Sequence, residues 1–378
     1  MITARADVVG SLLRPPELLR ARADRAAGRI TEVELRTVED AAADAAIRLQ
    51  EEAGLEVVTD GEMRRLSFQS RMTEAVDGFG GNDLDAFLWG EWRGDREVGD
   101  WSLERPKSLG VVGKLTRRRH LSVDEFTYLA ARTTRTPKIT LPSPSLFANF
   151  WSPETSREVY PTLEAFLADV VDILRAEVAE LVRRGALYIQ LDAPHYALLL
   201  DERTRAFYET RGWSRARWLA DGIAMDNAVI GNHPGVTFGF HVCRGNQGSR
   251  WLTAGAYDPI ARAIFRGIRA ERLLLEYDDE RSGSFDALSE VPEDKTVVLG
   301  LVTTKSPRME TAEGLEGRVR EASRFVPLER LALSPQCGFS TSVIGNRLSV
   351  DDQRRKLEVV VRAAKAIWPA ANFVQSRS

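Results

Sequence analysis

The sequence predicts an α/β protein built as a (β/α)8 TIM barrel, on three observations. About eight short apolar runs bounded by turn signals recur along the chain, most of them are separated by helical periodicity, and nearly all end in ionisable or ligating residues. The predicted strands are Ala6 to Val9, Glu56 to Thr59, Lys138 to Leu141, Tyr188 to Leu191, Val236 to Phe240, Arg272 to Tyr277, Thr296 to Leu301 and Leu331 to Leu333. The plainest helices are Glu32 to Ala53, Leu163 to Arg184, Tyr257 to Ile268, Gly314 to Phe325 and Ser349 to Ile367. Strand-then-helix alternation of this kind closes a parallel sheet into a barrel.

Local signals support the individual elements. Gly54 follows the helix that ends at Ala53 and suits the left-handed position past a helix end. Ser349 with Asp352 three residues on resembles a capping box at the start of the last helix. Residues 77–136, dense in Trp, Gly and Arg, are long for a barrel loop. They read as an insertion between the second and third strands that crosses the C-terminal face and contains a hairpin. A doubly wound sheet is the competing fold, but no strand leads into a G-x-G-x-x-G or G-x-x-x-x-G-K turn.

The 378 residues, 43% of them hydrophobic, can bury one large core, and no polar or Gly/Ser/Pro-rich linker divides them. A single domain, 1–378, with its insertion at approximately 77–136, is expected. The formal charge of -3 gives no general reason to expect nucleic acid or an anionic membrane as partner. The N-terminus lacks a signal-peptide layout, and no apolar stretch approaches the roughly 20 residues that span a bilayer. The expected compartment is the cytoplasm, where thiols stay reduced. A homo-oligomer is left open.

Candidate chemistry starts from the two cysteines of the chain, Cys243 in His241-Val-Cys243 and Cys337 in Ser334-Pro-Gln-Cys-Gly. Each lies just past a predicted strand, so two thiols and an imidazole could converge on one soft divalent metal if those strands are neighbours in a barrel. His241 and Cys243, at i and i+2 of an extended segment, point to the same side. The alternatives are two inert buried cysteines or a disulfide between them. Glu276, ending the apolar run Leu273-Leu-Leu275, is the best placed fourth ligand, with Asp278 and Asp279 as rivals. One histidine, one carboxylate and two thiolates favour Zn2+ over magnesium or calcium. The net charge of such a site, about -1, suits holding a substrate thiolate better than activating water, which implies alkyl transfer to sulfur. Gly10-Ser11, Asp60-Gly-Glu62, Asp192-Ala-Pro-His195 and Thr303-Thr-Lys305 fall at other strand ends, on the same face.

Six stretches carry a resemblance: Ala6-Asp-Val-Val-Gly-Ser-Leu-Leu-Arg-Pro15, Thr59-Asp-Gly-Glu-Met-Arg-Arg65, Tyr188-Ile-Gln-Leu-Asp-Ala-Pro194, His241-Val-Cys-Arg-Gly-Asn246, Leu275-Glu-Tyr-Asp-Asp-Glu-Arg-Ser-Gly283 and Leu333-Ser-Pro-Gln-Cys-Gly-Phe339. In this order they resemble the catalytic barrel of cobalamin-independent methionine synthase, and more closely its single-barrel, methionine synthase II-like group. The resemblance implies zinc on His241, Cys243, Glu276 and Cys337. It further implies that Gly10 and Ser11 hold the carboxylate of homocysteine while Glu62 and Asp192 receive its ammonium. Lys305 stands where the long enzymes carry a histidine thought to assist proton delivery, which makes Lys305, with Asp192, a catalytic candidate. Ala193 replaces a glutamate of the long enzymes, and their additional N-terminal barrel has no counterpart in this sequence. The methyl donor is therefore open between methyltetrahydrofolate, a methylated corrinoid and another small methyl compound.

The function implied is zinc-dependent methylation of homocysteine to methionine, with a small-molecule thiol and a methyl donor as partners. The alternative is alkylation of a sulfonate thiol, as in the related epoxyalkane-coenzyme M transferases, with Arg14, Arg64, Arg65, Arg244 and Lys305 supplying a cationic pocket. A third reading is a barrel whose zinc is structural. Trp89, Trp92 and Trp101 of the insertion read as a platform for a flat donor ring or as a loop core.

Overall fold

The structure of the chain is a computed structural model that describes residues 2–369 other than 81–83, 85–87, 108 and 211. Eleven strands occur among the described residues: β1 (Val57–Val58), β2 (Val76–Gly80), β3 (Gly90–Trp92), β4 (Trp101–Leu103), β5 (Gly110–Arg117), β6 (Thr136–Pro142), β7 (Tyr188–Asp192), β8 (Thr237–Val242), β9 (Arg272–Glu276), β10 (Thr296–Val302) and β11 (Leu331–Pro335). Seven of them make one sheet in the order β1-β6-β7-β8-β9-β10-β11, and every pair is parallel. All five residues of β7, β9 and β11 are buried, as expected of strands covered on both faces.

Helices on the outside follow their apolar periodicity. Leu163–Arg183 buries Phe166, Val170, Leu174, Val178 and Leu181, spaced three or four apart. Thr31 and Ser349 each close a capping box, and Gly54 adopts φ 89 directly past the helix Glu32–Glu52 and its C-cap. Helices at Pro16–Ala26 and Arg215–Ile230 lie outside the plainest set read from the sequence.

Two predicted strands are shorter than expected. Val57–Val58 is only two residues long because it pairs with Thr136 and Pro137, and the proline has no N–H to extend the ladder. Thr59 N–H then turns to Gln50 Oε1 at 3.0 Å. The first predicted strand, Ala6 to Val9, reduces to a single parallel bridge between Ala6 and Leu333. Side chains from the sheet occupy its next backbone groups: Val8 O accepts from Lys138 Nζ at 2.5 Å, Val9 O from Gln190 Nε2 at 2.9 Å and Gly10 O from Thr59 Oγ1 at 2.6 Å. Backbone polar groups paired in this way have no need of a neighbouring strand.

Between β1 and β6 the chain forms two antiparallel pairs, β2 with β5 and β3 with β4. A bridge from Arg93 to Trp251 and hydrogen bonds from Arg250 to Val98 O and Gly99 O tie the β3–β4 pair to the segment after β8. No helix among the described residues is long and apolar enough to cross a membrane.

Candidate functional site

The strand ends converge on one buried group. His241 lies in β8, Cys243 just past it, and Cys337 two residues beyond β11. These strands are not neighbours, since β9 and β10 stand between them. The two Sγ atoms nevertheless lie 3.3 Å apart, and one ligand atom from each of His241, Cys243 and Cys337 falls within 4.8 Å of the others. Both cysteines are free, so the disulfide alternative is set aside.

His241 Nδ1 sits 3.2 Å from Leu274 O, which fixes the proton there and leaves Nε2 as a lone-pair donor. That Nε2 is buried and has no hydrogen-bonding partner. A buried imidazole nitrogen left unpaired beside two sulfurs is what a soft divalent cation would complete. The Cys337 S–H pulls the Cys243 thiol down to about 5, burial opposes this, and the His241 imidazole adds to it. The same hydrogen bond pushes Cys337 well above the ordinary thiol range. Without a cation the pair thus shares one negative charge. Donors of this chemistry fit zinc.

Glu276, the implied fourth ligand, lies outside this three-residue group. It ends β9 and is fully buried, with Oε1 accepting from Lys305 Nζ at 2.9 Å and Oε2 from the Arg244 N–H at 3.0 Å. Of its rivals, Asp279 caps a short turn and pairs with Arg281. Asp278 is buried with neither oxygen hydrogen-bonded, 3.7 Å from Arg281 and 4.0 Å from Lys305.

A cavity of about 310 Å3 opens over the group, and Ser11, Glu62, Asp192, His241, Cys243 and Cys337 all line it. Glu62 has φ 56, unusual outside glycine, and its Oε1 accepts from Thr140 Oγ1 at 2.7 Å. Its Oε2 is buried without a partner. Gly10 backs this carboxylate and contributes no wall, because a Cβ there would meet Glu62 Oε1 at 2.7 Å. Burial raises the Asp192 carboxyl to about 7; the His241 imidazole opposes the rise and Glu62 adds to it. A cation arriving beside it would favour the ionised form.

Ser11 is clamped from the other side, its carbonyl accepting from Phe339 N at 2.8 Å. A Cβ on Gly338 would fall 2.0 Å from Ser11 Oγ. Gly338→Ala is therefore expected to displace Ser11, raise the KM for an amino-acid thiol about tenfold and cost about 1–3 kcal/mol of stability; steady-state kinetics and a denaturant titration check both.

None of Arg14, Arg64, Arg65, Arg244 and Lys305 is among the described residues that line the cavity. Arg14 donates to Glu62 O and Ser340 O, Arg65 pairs with Glu125 at 2.7 Å, and Arg64 lies against Asp40 and the Tyr128 ring. The Arg244 guanidinium is buried 4.1 Å from the Tyr257 ring centroid. His195 is absent from the lining as well, its Nε2 held by Ser145 Oγ at 2.6 Å. The rest of the wall is largely apolar and includes Leu88, Trp89, Trp92, Leu146, Phe150 and Phe207, with Glu91, Arg93, Asp201 and Arg203 as its charged members. Trp101 stacks on Trp92 at 5.7 Å from outside that wall. Phe207 and Thr341 had no counterpart in the sequence reading, since neither sits at a strand end.

Fold and site define an α/β protein with a parallel sheet and a buried His–Cys–Cys group able to hold a metal ion at the floor of a small-molecule cavity. The family described as cobalamin-independent synthase, catalytic domain, matches residues 1–366, and the chain belongs to it. The chain is 34% identical over 367 residues to the uncharacterized protein YxjH of Bacillus subtilis, covering 96% of this chain and 94% of that one. It is 28% identical over 333 residues to a methionine synthase of Pyrococcus horikoshii, covering 88% and 85%. Its fold matches a B12-independent methionine synthase from Shewanella sp. W3-18-1, solved in complex with selenomethionine, with a TM-score of 0.71 at 21% identity over 98% of this chain and 99% of that one.

Proposed function

We propose that this chain is a zinc-dependent thiol methyltransferase that converts homocysteine to methionine. The observation that carries the reading is the unpaired His241 Nε2 beside two thiol sulfurs, at the base of a cavity that also holds two carboxylates. His241, Cys243 and Cys337 would hold the metal, with Glu276 as a fourth donor. Bound there, zinc supplies a substrate sulfur already deprotonated at neutral pH.

The remaining work falls to the chain. Ser11 holds the substrate carboxylate, with Gly10 set behind it against Glu62, and Glu62, through its free Oε2, and Asp192 take the ammonium. Gripping both ends of the amino acid aims its sulfur at the metal ligands. The S–C bond forms as the bond from the methyl to its carrier breaks, with Trp89 and Phe207 walling the carrier from water. The sheet and the segment 6–10 are read as one complete (β/α)8 barrel in a single domain, 1–378, with residues 77–136 as its insertion, acting in the cytoplasm.

Two alternatives fit less well. A sulfonate thiol needs a buried cation in the wall, and the five candidates lie elsewhere, while the two arginines that do line the cavity, Arg93 and Arg203, are exposed and Arg203 is paired with Glu91. A structural zinc needs a closed set of ligands, whereas three donors here border a cavity.

Zinc K-edge X-ray absorption with and without homocysteine tests the reading: two sulfur ligands should become three. Stoichiometric zinc that ignores homocysteine and gains sulfur from 2-mercaptoethanesulfonate would transfer the assignment to the sulfonate thiol. Methyltetrahydrofolate, a methylated corrinoid and small methyl compounds are then assayed in parallel as donors. Glu62→Gln should raise the KM for homocysteine about 10–100-fold, the worth of one hydrogen bond to a charged group. The des-amino analogue 4-mercaptobutyrate should be unaffected, and an equal loss for both thiols would remove Glu62 from ammonium recognition.

A further inference from the structure

Glu276 has both carboxylate oxygens engaged, and neither engagement is with the His–Cys–Cys group. We propose that Lys305 is a positioning residue that competes with the metal for Glu276 and so weakens the hold of this fourth donor. The inference rests on the zinc reading above.

Three features support it. The Lys305–Glu276 pair is buried on both sides, at 7% and 0% side-chain exposure, where an unpaired charge of either sign is costly. Lys305 is also presented by a braced loop: Thr304 N–H donates to Gln336 Oε1 at 2.6 Å, while Thr304 Oγ1 and O accept from Asn246 and Asn346 at 2.9 and 2.8 Å. The backbone that presents the ammonium is therefore held in place if Glu276 moves. Its other acidic neighbour, Asp278, waits at 4.0 Å and is itself without a hydrogen bond, so Lys305 has a second partner if Glu276 leaves. Opposing the move, Arg281 stands 3.7 Å from Glu276 and adds to the hold on its present position. Exchange between ammonium and metal would thus trade one charge pair for another.

The test is a mutant cycle in zinc affinity, measured on refilled protein by competition with a chromophoric chelator, with activity not required. Lys305→Met should tighten zinc about tenfold or more by releasing the carboxylate, within the range that groups behind a ligand exert. The gain should vanish in Lys305→Met/Glu276→Gln, and Lys305→Arg, which keeps the pair, should bind as wild type does. Glu276→Gln alone should stay within about fivefold of wild type. A gain that persists in the double variant would mean simple charge repulsion, and a loss of about 100-fold in Glu276→Gln alone would make Glu276 a permanent ligand; either overturns the proposal. Should Lys305→Met fail to fold, Glu276→Gln and Lys305→Arg decide. Wild-type protein that takes up no stoichiometric zinc would sink the zinc reading itself, whereas normal uptake without coupling sinks only the role of Lys305.

Discussion

Cys243→Ser and Cys337→Ser are each expected to lower zinc affinity by about three orders of magnitude and to abolish thiol alkylation, while the fold survives. Structural zinc binding contributes about 10–16 kcal/mol spread over its ligands, so the loss of one thiolate among these donors removes several kcal/mol. Serine replaces the thiol with a neutral, harder oxygen that does not ionise near pH 7. The fold is spared because serine nearly matches cysteine in volume and the two sulfurs join strand ends already held by the sheet ladder. Zinc content by mass spectrometry and methyl transfer measured on the same preparations check both halves. Full turnover in a zinc-free variant would sink the metal-thiolate mechanism. In Cys337→Ala without metal, the Cys243 thiol should also titrate higher than in the wild type, because the Cys337 S–H, which alanine lacks, is the largest cause of its depression.

The convergence of His241, Cys243 and Cys337 was legible in the sequence because all three sit at strand ends, where a barrel collects side chains by rule. His241 and Cys243 share one side of one strand, and Cys337 needed only the parallel alternation to be placed on the same face. The assumption that their strands touch was unnecessary: β8 and β11 stand three places apart, and sheet curvature closes the distance. Harder to read were features set by partners distant in the chain. Lys305 looks like a free acid or anion anchor until Glu276, 29 positions away, is seen to hold it at 2.9 Å. Segment 6–9 has the composition of a strand, yet side chains of Lys138 and Gln190 take its carbonyls. The arginines of Met63-Arg-Arg65 have the charge of a surface or a sulfonate pocket but are buried in ion pairs. Charge on an isolated sequence carries no record of its counterion.

That last point yields the largest stability effect. Glu125 is fully buried with Arg65 on one oxygen at 2.7 Å and Arg71 on the other at 2.7 Å. Burial alone would raise its carboxyl, but the two guanidiniums outweigh it and hold the group down to about 2. A carboxyl depressed from roughly 4.3 in the unfolded chain contributes about 3 kcal/mol, fully present above the unfolded value and lost as pH falls from there toward about 2. Glu125→Gln is therefore expected to cost about 3–5 kcal/mol at pH 7, because it strands two buried cations. Denaturant titrations of both proteins should show this gap narrowing steadily between about pH 5 and pH 2, where the wild-type carboxylate itself is being protonated. A gap independent of pH would mean that packing, rather than charge, is what Glu125 contributes. The same substitution reaches the site. Arg65 Nη1 already stands 3.5 Å from Glu62 Oε1 and donates to Thr140 Oγ1 at 2.9 Å, whose hydroxyl donates to the same Glu62 oxygen at 2.7 Å, so a guanidinium released from Glu125 is free to tighten on Glu62. Glu62 would then spend its charge on Arg65 rather than on an incoming ammonium, and the KM for homocysteine should rise while 4-mercaptobutyrate, which carries no ammonium, is processed as before.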